Sequence, residues 1–354
     1  MIPVLQVIGS KRTGGAENFF RRLVCAQREA GWTVAAITPP DCPLATTLAG
    51  RLPLTTIAMR GNWDVFSSRR IRRQVKAGGF PVVQTWMGRA TRLTDLSGLP
   101  ATLHVARLGG YYNLKGYRHA DAWIGNTRGI CDYLLEQGLP AERVFQIGNF
   151  YDPAQRHADT TLAGLRARLG IPPQALLLFA LGRLHQNKGF DTLLQAVARL
   201  DGEIAGRPWR LLIAGDGPLR QTLRRQASEL GLTDRVLWPG WCEDPAPWFQ
   251  AADLFICPSR HEPLGNVILE AWGNRTPVIA TRSQGAVELI EHGLSGWLVD
   301  KDDPKALATG IREMLVDSAG RQVLATAGAE RLRHDFSRET ILARYQDVYT
   351  RLAG

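Results

Sequence analysis

The chain has 354 residues, 45% of them hydrophobic and 8% aromatic, which suits two packed cores and excludes a disordered polymer. Its formal net charge is +10, and the excess lies in one half: residues 1–150 hold 19 Lys and Arg against 9 Asp and Glu, whereas residues 151–354 hold 24 of each. There is no apolar run of bilayer length, the five scattered cysteines lack metal-ligand spacing, and the start runs directly into a strand pattern; a cytoplasmic chain with reduced thiols, at most touching a membrane from that side, is expected.

Short apolar runs alternate with helical patterns from end to end, which predicts an α/β chain with parallel sheets. Strands are predicted at Val4–Ile8, Thr33–Ile37, Thr56–Met59, Val82–Thr85, Thr102–Val105, Ala122–Ile124 and Val144–Ile147, with a helix over Glu17–Ala30 that Gly31 ends. Asn149–Pro153 and the polar stretch after it read as a linker. The pattern then restarts at Leu176–Leu181, Arg210–Ile213, Val236–Trp238, Leu254–Ile256, Val278–Ala280 and Trp297–Val299. An amphipathic stretch, Ser337–Arg351, closes the chain. Two consecutive α/β domains follow, residues 1–150 and 151–336.

Three strand-to-helix turns are rich in glycine. The first carries Gly14 and Gly15, but neither a P-loop lysine nor dinucleotide-fingerprint spacing, and a tight turn explains it as well as phosphate binding does. The second runs from Gly182-Arg183 to Lys188-Gly189, before a helix expected at Asp191–Leu200. At the carboxyl edge of a sheet one guanidinium and one ammonium can neutralise a diphosphate; a pair of solvated loop cations is the plain alternative. The third, Gly215-Asp216-Gly217-Pro218, could let a flat base or ribose lie against backbone.

The stretch from Pro258 to Trp272 says most. Glu262 precedes a helix expected to start near Gly265, and Glu270 lies about a turn and a half inside it. Both carboxylates can accept hydrogen bonds from sugar hydroxyls, while backbone N–H groups around Leu264, Gly265 and Asn266 can meet phosphate. Glu262 alone could simply favour the helix dipole, but Glu270 is too far inside for that.

With these residues the sequence resembles glycosyltransferase family 4. Gly14-Gly15-Ala-Glu17, the Gly-Arg-Leu…Lys-Gly loop at 182–189, Gly-Asp-Gly-Pro at 215–218, Glu-x7-Glu from 262 to 270, and the crossover Gly-Asn-Phe-Tyr-Asp at 148–152 occur in the family's order. The resemblance implies the GT-B fold, two Rossmann-like domains facing across a cleft, with the closing helix 337–354 packed back on the first. It implies a retaining, metal-independent transferase that takes a UDP- or GDP-sugar as co-substrate and no other cofactor.

On that basis Arg183 and Lys188 would hold the diphosphate, Glu262 a hydroxyl of the sugar and Glu270 the ribose. Gly14, Gly15, Gly182 and Gly215 would let backbone approach the donor. A histidine at a strand end beside donor sugar and acceptor is also implied; His104 fits that place, with a satisfied strand histidine as the alternative. Arg107 could itself meet an anionic acceptor. No Asp-x-Asp is singled out as a metal ligand.

The basic half contributes one cluster, Arg69, Arg70, Arg72, Arg73 and Lys76, on a helix whose Phe66, Ile71 and Val75 are expected to face inward. It predicts docking on anionic lipid or a phosphorylated lipid-linked glycan, with a solvated helix face as the alternative; the family resemblance, for a basic first domain, implies lipopolysaccharide or other envelope polysaccharide assembly. Nucleic acid is not expected, because no aromatic platforms interleave the cations. A nucleotide-sugar epimerase of the same fold and a non-catalytic nucleotide-sugar sensor are the competing functions.

Overall fold

The computed structural model describes residues 1–11 and 14–354, so Arg12 and Thr13 of the first glycine loop lie outside the described residues. The chain divides into two compact units, Met1–Phe150 with Arg338–Gly354, and Tyr151–Ser337.

The first unit runs β1 (Val4–Ile8), α1 (Gly15–Glu29), β2 (Val34–Thr38), α2 (Pro43–Leu48), β3 (Leu54–Thr56), α3 (Val65–Gly78), β4 (Val82–Trp86), α4 (Met87–Leu93), β5 (Leu103–Leu108), β6 (Ala122–Gly125), α5 (Arg128–Glu136) and β7 (Val144–Gln146). Its strands are all parallel, in the order β3-β2-β1-β4-β5-β6-β7. Strands covered on both faces should be apolar throughout, and β1 is, except for Gln6. Gln6 is buried but satisfied: its Oε1 accepts from Trp86 Nε1 at 2.7 Å and its Nε2 donates to Gln27 at 3.2 Å.

The second unit runs α6 (Asp159–Arg168), β8 (Leu176–Leu181), α7 (Phe190–Val197), β9 (Glu203–Ile204), β10 (Arg207–Ala214), α8 (Arg220–Glu229), β11 (Val236–Gly240), α9 (Ala246–Ala251), β12 (Leu254–Cys257), α10 (Asn266–Gly273), β13 (Val278–Thr281), α11 (Gln284–Leu289), β14 (Trp297–Val299), α12 (Pro304–Val316) and α13 (Ser318–Asp335). The parallel order is β11-β10-β8-β12-β13-β14, and β9 pairs antiparallel with β10. The order steps out from β8 in both directions, so loops after β8, β10 and β12 share the carboxyl edge near the switch point, where open α/β sheets bind ligands. The last helix, α14 (Arg338–Ala353), belongs to the first unit and buries Ile341, Tyr345 and Tyr349 in that unit's core.

Several sequence expectations are corrected. The third strand ends at Thr56 rather than Met59, because Met59 turns left-handed (φ +43°) and takes the chain off the sheet. The β9–β10 hairpin lies outside the expected strands; its turn uses Ala205 (φ +49°) and Gly206 (φ +71°), and the glycines at 202 and 206 signal it only weakly. On α3 the inward stripe is Ser67, Ile71 and Val75, whereas Phe66 is 79% exposed. Ser67 sets that rotation: its hydroxyl donates to the Asp64 cap (2.7 Å) and accepts from the Met59 N–H (3.1 Å).

Candidate active site

In the second unit three loops meet at the carboxyl edge of the sheet. The turn after β8 begins at Gly182 and closes through a 3-10 turn, Gln186–Lys188, into α7. Gly189 sits left-handed (φ +62°), and a Cβ there would lie 2.1 Å from the Pro258 carbonyl oxygen, so only glycine lets this loop reach the one after β12. Backbone bonds fasten the contact: the Arg260 and His261 N–H groups both donate to the Asn187 carbonyl, at 2.8 and 3.1 Å. Gly215, after β10, fits as closely, since a Cβ would stand 2.0 Å from the Gly182 carbonyl oxygen. Leu184 N–H donates to Asp216 O at 2.9 Å and ties the two turns.

These contacts bring Lys188 and Glu262, 74 residues apart in sequence, into a direct ion pair between Nζ and Oε2. The side chains are only 22% and 14% exposed, and Ser259 Oγ donates to the same carboxylate oxygen at 3.3 Å. Burial works against the charge on Lys188, but the Glu262 carboxylate, helped by Glu270, outweighs it and holds the ammonium above the ordinary lysine value. Burial, reinforced by the Glu262 carboxylate, pushes the Cys257 thiol up to about 11, so this cysteine is a neutral packing residue at physiological pH. Arg183 is exposed and has no hydrogen-bond or ion-pair partner among the described residues.

Gly265 (φ +93°) turns the chain into α10, and no side chain caps that helix there. A non-glycine residue would pay for the left-handed turn, and the uncapped start leaves N–H groups for an anion. Glu270 is half-buried on α10, and its charge reaches Lys188. Arg183, Lys188, Glu262, Leu264, Gly265, Asn266 and Glu270 therefore belong to the loops and helix of one sheet edge, with Gly182 and Gly215 as its tight turns.

Arg260 is a structural residue of this junction that no sequence motif marks. Its guanidinium grips Asp191 at the start of α7 with two 2.7 Å bonds, donates to the Gln186 carbonyl at 3.0 Å and to Thr192 Oγ1 at 2.9 Å, and bonds Asp302 through Nε. It braces the Gln186–Lys188 turn against the loop that carries Glu262. Asp302 also completes an Asp300-Lys-Asp302 triplet, whose acids are engaged by Arg282 and Arg260. The partners lie far apart in sequence, so only the run of charges near Glu262 hints at this brace.

In the first unit, α1 starts at Gly15 behind an extended Gly14, and the buried Glu17 folds back so that a Cβ on Gly14 would meet its Oε2 at 2.9 Å. Two expectations are corrected. His104 is the second residue of β5, not its end, and is 2% exposed. Thr85 Oγ1 gives its proton to Thr91 (3.0 Å) and Thr91 donates to Met87 O, so His104 Nε2 must donate to Thr85 (2.9 Å). Burial, helped by the neighbouring His119, drives its pKa down to about 3, and the ring is a neutral core residue.

Arg107 does stand near the carboxyl end of β5, but it is 4% exposed. Its guanidinium lies 4.5 Å from the Trp86 ring centre and 4.9 Å from that of Phe19, and donates to Tyr345 Oη (2.8 Å) and Asn149 Oδ1 (2.6 Å). Buried there, it ties α14 and the crossover to the sheet instead of standing exposed at the strand end. On α3, by contrast, Arg69, Arg70 and Arg73 are exposed and Arg72 is half-buried.

Known proteins give the same picture. The family description Glycosyltransferase Family 4 matches residues 13–155, and Glycosyl transferases group 1 matches 175–317. The lipopolysaccharide core biosynthesis glycosyltransferase LpsE of Rhizobium meliloti (strain 1021) is 34% identical over 337 residues, 94% of this chain and 95% of that one. LpsD of the same organism, described in the same words, is 32% identical over 344 residues, 96% and 95% of the two chains. Among solved structures, Anabaena Alr3699/HepE in complex with UDP superposes with a TM-score of 0.87 at 21% identity, covering 99% and 100% of the two chains. WaaG, a glycosyltransferase involved in lipopolysaccharide biosynthesis, does so at 0.72 and 18% identity, covering 98% of each. The chain belongs to glycosyltransferase family 4, the group 1 glycosyl transferases, and is a glycosyltransferase of GT-B fold.

Proposed function

We propose that this glycosyltransferase moves a sugar from a nucleoside-diphosphate donor to a glycan or lipid-linked acceptor in lipopolysaccharide core or related envelope assembly, without a metal and with retention at the anomeric carbon. The observation that carries the donor half is the Lys188–Glu262 pair beside the uncapped start of α10, with Arg183, which has no partner among the described residues, on the same edge. The Anabaena neighbour has been solved with UDP and with UDP-glucose, which favours UDP as the nucleotide; the Rhizobium relatives are described as lipopolysaccharide core enzymes, which favours that acceptor class.

Lys188 and Arg183 hold the diphosphate and take up the charge of the leaving group, the part a divalent cation plays elsewhere. Glu262 accepts from a sugar hydroxyl while keeping Lys188 charged, Glu270 accepts from ribose, and backbone from Leu264 to Asn266 meets phosphate. The acceptor oxygen bonds the anomeric carbon on the face the diphosphate leaves; the carbon–oxygen bond to diphosphate breaks, and the acceptor's proton passes to the departing phosphate. No strong base is needed, in keeping with a neutral, buried His104.

The chain acts on the cytoplasmic side, and α3 rests on anionic lipid; no helix among the described residues is long and apolar enough to cross a membrane. The test of the chemistry is transfer from UDP-sugars with the product's anomeric configuration read by NMR, in excess chelator. Retained configuration at undiminished rate is expected. Inversion, or loss of rate restored by a divalent ion, contradicts the proposal.

A further inference from the structure

A cavity of about 580 Å3 opens in the second unit at the opposite, amino-terminal edge of the sheet. Its walls include Pro153 and Arg156 of the crossover segment, Asn274 and Arg275 at the carboxyl end of α10, Asp253 just before β12, and Arg321 in the first turn of α13. A volume of this size takes a small ligand.

Its charge is lopsided. Arg321 is 8% exposed and donates to the Met314 and Leu315 carbonyls at 2.9 and 2.8 Å, while its Nη2 stands 3.7 Å from Asp253. Arg166 approaches the same carboxylate at 3.9 Å, and Asp253 also accepts from Leu177 N–H at 2.8 Å. One carboxylate is thus shared by two guanidinium groups and a backbone donor, and Asp317 is the other acid whose charge reaches Arg321. Burial lowers the pKa of both Arg166 and Arg321, and the charge of Arg207 lowers them further against the pull of Asp253.

Arg156 and Arg275 add two exposed cations that have no hydrogen-bond or ion-pair partner among the described residues. Arg275 moreover holds a left-handed backbone (φ +56°) at the position after a helix end, where glycine is the unstrained choice.

We propose that this cavity binds a small phosphorylated anion, clamped between Arg156 of the crossover and Arg275 at the end of α10. Guanidinium forks suit phosphate oxygens, and the two arginines come from segments that already touch: a Cβ on Gly273 would lie 2.4 Å from the Tyr151 ring. The bound anion joins the crossover to the helix that carries Glu270 from the sheet edge opposite the donor residues, so the site is separate from the donor site.

Calorimetric titration of inorganic pyrophosphate into the full chain, with and without excess UDP, tests this. Binding that survives UDP, is weakened about tenfold or more by Arg156→Gln with Arg275→Gln, and is unchanged by Arg69, Arg70, Arg72 and Arg73→Gln supports the site. Unaltered circular dichroism shows that the double variant is folded. No binding in the presence of UDP, equal binding by the double variant, or loss in the α3 variant overturns it.

Discussion

At the scale of residues, the fold separates groups that the sequence makes look alike. Lys188 and Arg183 are both loop cations, yet one is locked to Glu262 and the other has no partner among the described residues. Removing Lys188 leaves a half-buried Glu262 without its partner, so Lys188→Ala should cost stability as well as rate, on the order of 3–5 kcal/mol if the carboxylate stays charged. Lys188→Ala with Glu262→Gln should recover much of the melting temperature and none of the transfer rate; a double variant no more stable than Lys188→Ala contradicts the pairing. His104 shows where sequence reasoning misled: a histidine in an apolar run is visible, but not whether it begins or ends the strand. Its folded pKa of about 3 lies below the unfolded value, so the unfolded chain binds more protons as pH falls through 6.5. Stability from His104 is therefore fully present above pH 6.5 and lost as acidity approaches pH 3. The expected outcome is a ring resonance that does not titrate between about pH 5 and 8; a midpoint in that range contradicts burial. Arg107 escaped for a similar reason, because its partner Tyr345 lies 238 positions along the chain.

At the scale of elements, alternating apolar runs made the strands legible: β8 and β14 lie where the pattern predicts them, since a strand buried on both faces has little choice of residue. Short edge pieces were not legible. β3 is cut off by the left-handed Met59, and β9 is only two residues long. The rotation of α3 depended on hydrogen bonds to Ser67 that no hydrophobic pattern records, and it leaves Trp63 and Phe66 83% and 79% exposed near the arginines. Exposed aromatic rings beside cations suit an anionic bilayer interface. Vesicles with phosphatidylglycerol should therefore sediment the wild type and fail to sediment a variant with Arg69, Arg70, Arg72 and Arg73 neutralised. Equal sedimentation means that α3 is a solvated face. The loop junction gives a second test. Arg260 touches no proposed donor group but holds the Gln186–Lys188 turn to the Glu262 loop, so Arg260→Ala should raise the donor KM by about tenfold with a smaller change in kcat. Arg260→Lys should rescue it only in part, because an ammonium cannot form the paired bonds to Asp191. A fall in kcat alone would contradict a positioning role.

For the whole molecule, two sheets of parallel strands in one chain provide two carboxyl edges, and the chemistry-bearing residues are unevenly divided between them. The second unit carries Arg183, Lys188, Glu262 and Glu270 together; these were legible as a set because glycine turns and acidic positions recur at fixed offsets from buried strands. The first unit has most of its conspicuous polar residues turned inward, as with His104 and Arg107, and its surplus charge is on the outside. Charge imbalance alone could not tell buried cations from exposed ones, which is why the placement of the first unit's polar residues was less legible than that of the second unit's. The central claim is that a nucleoside diphosphate is held at the carboxyl edge of the second sheet by these residues and not by a metal. Calorimetric titration of UDP in excess chelator, with wild type, Lys188→Ala and Glu270→Ala compared, tests it directly. Binding by wild type and weakening of about tenfold or more in each variant is the predicted result; binding that requires a divalent ion, or that both substitutions leave unchanged, would contradict it.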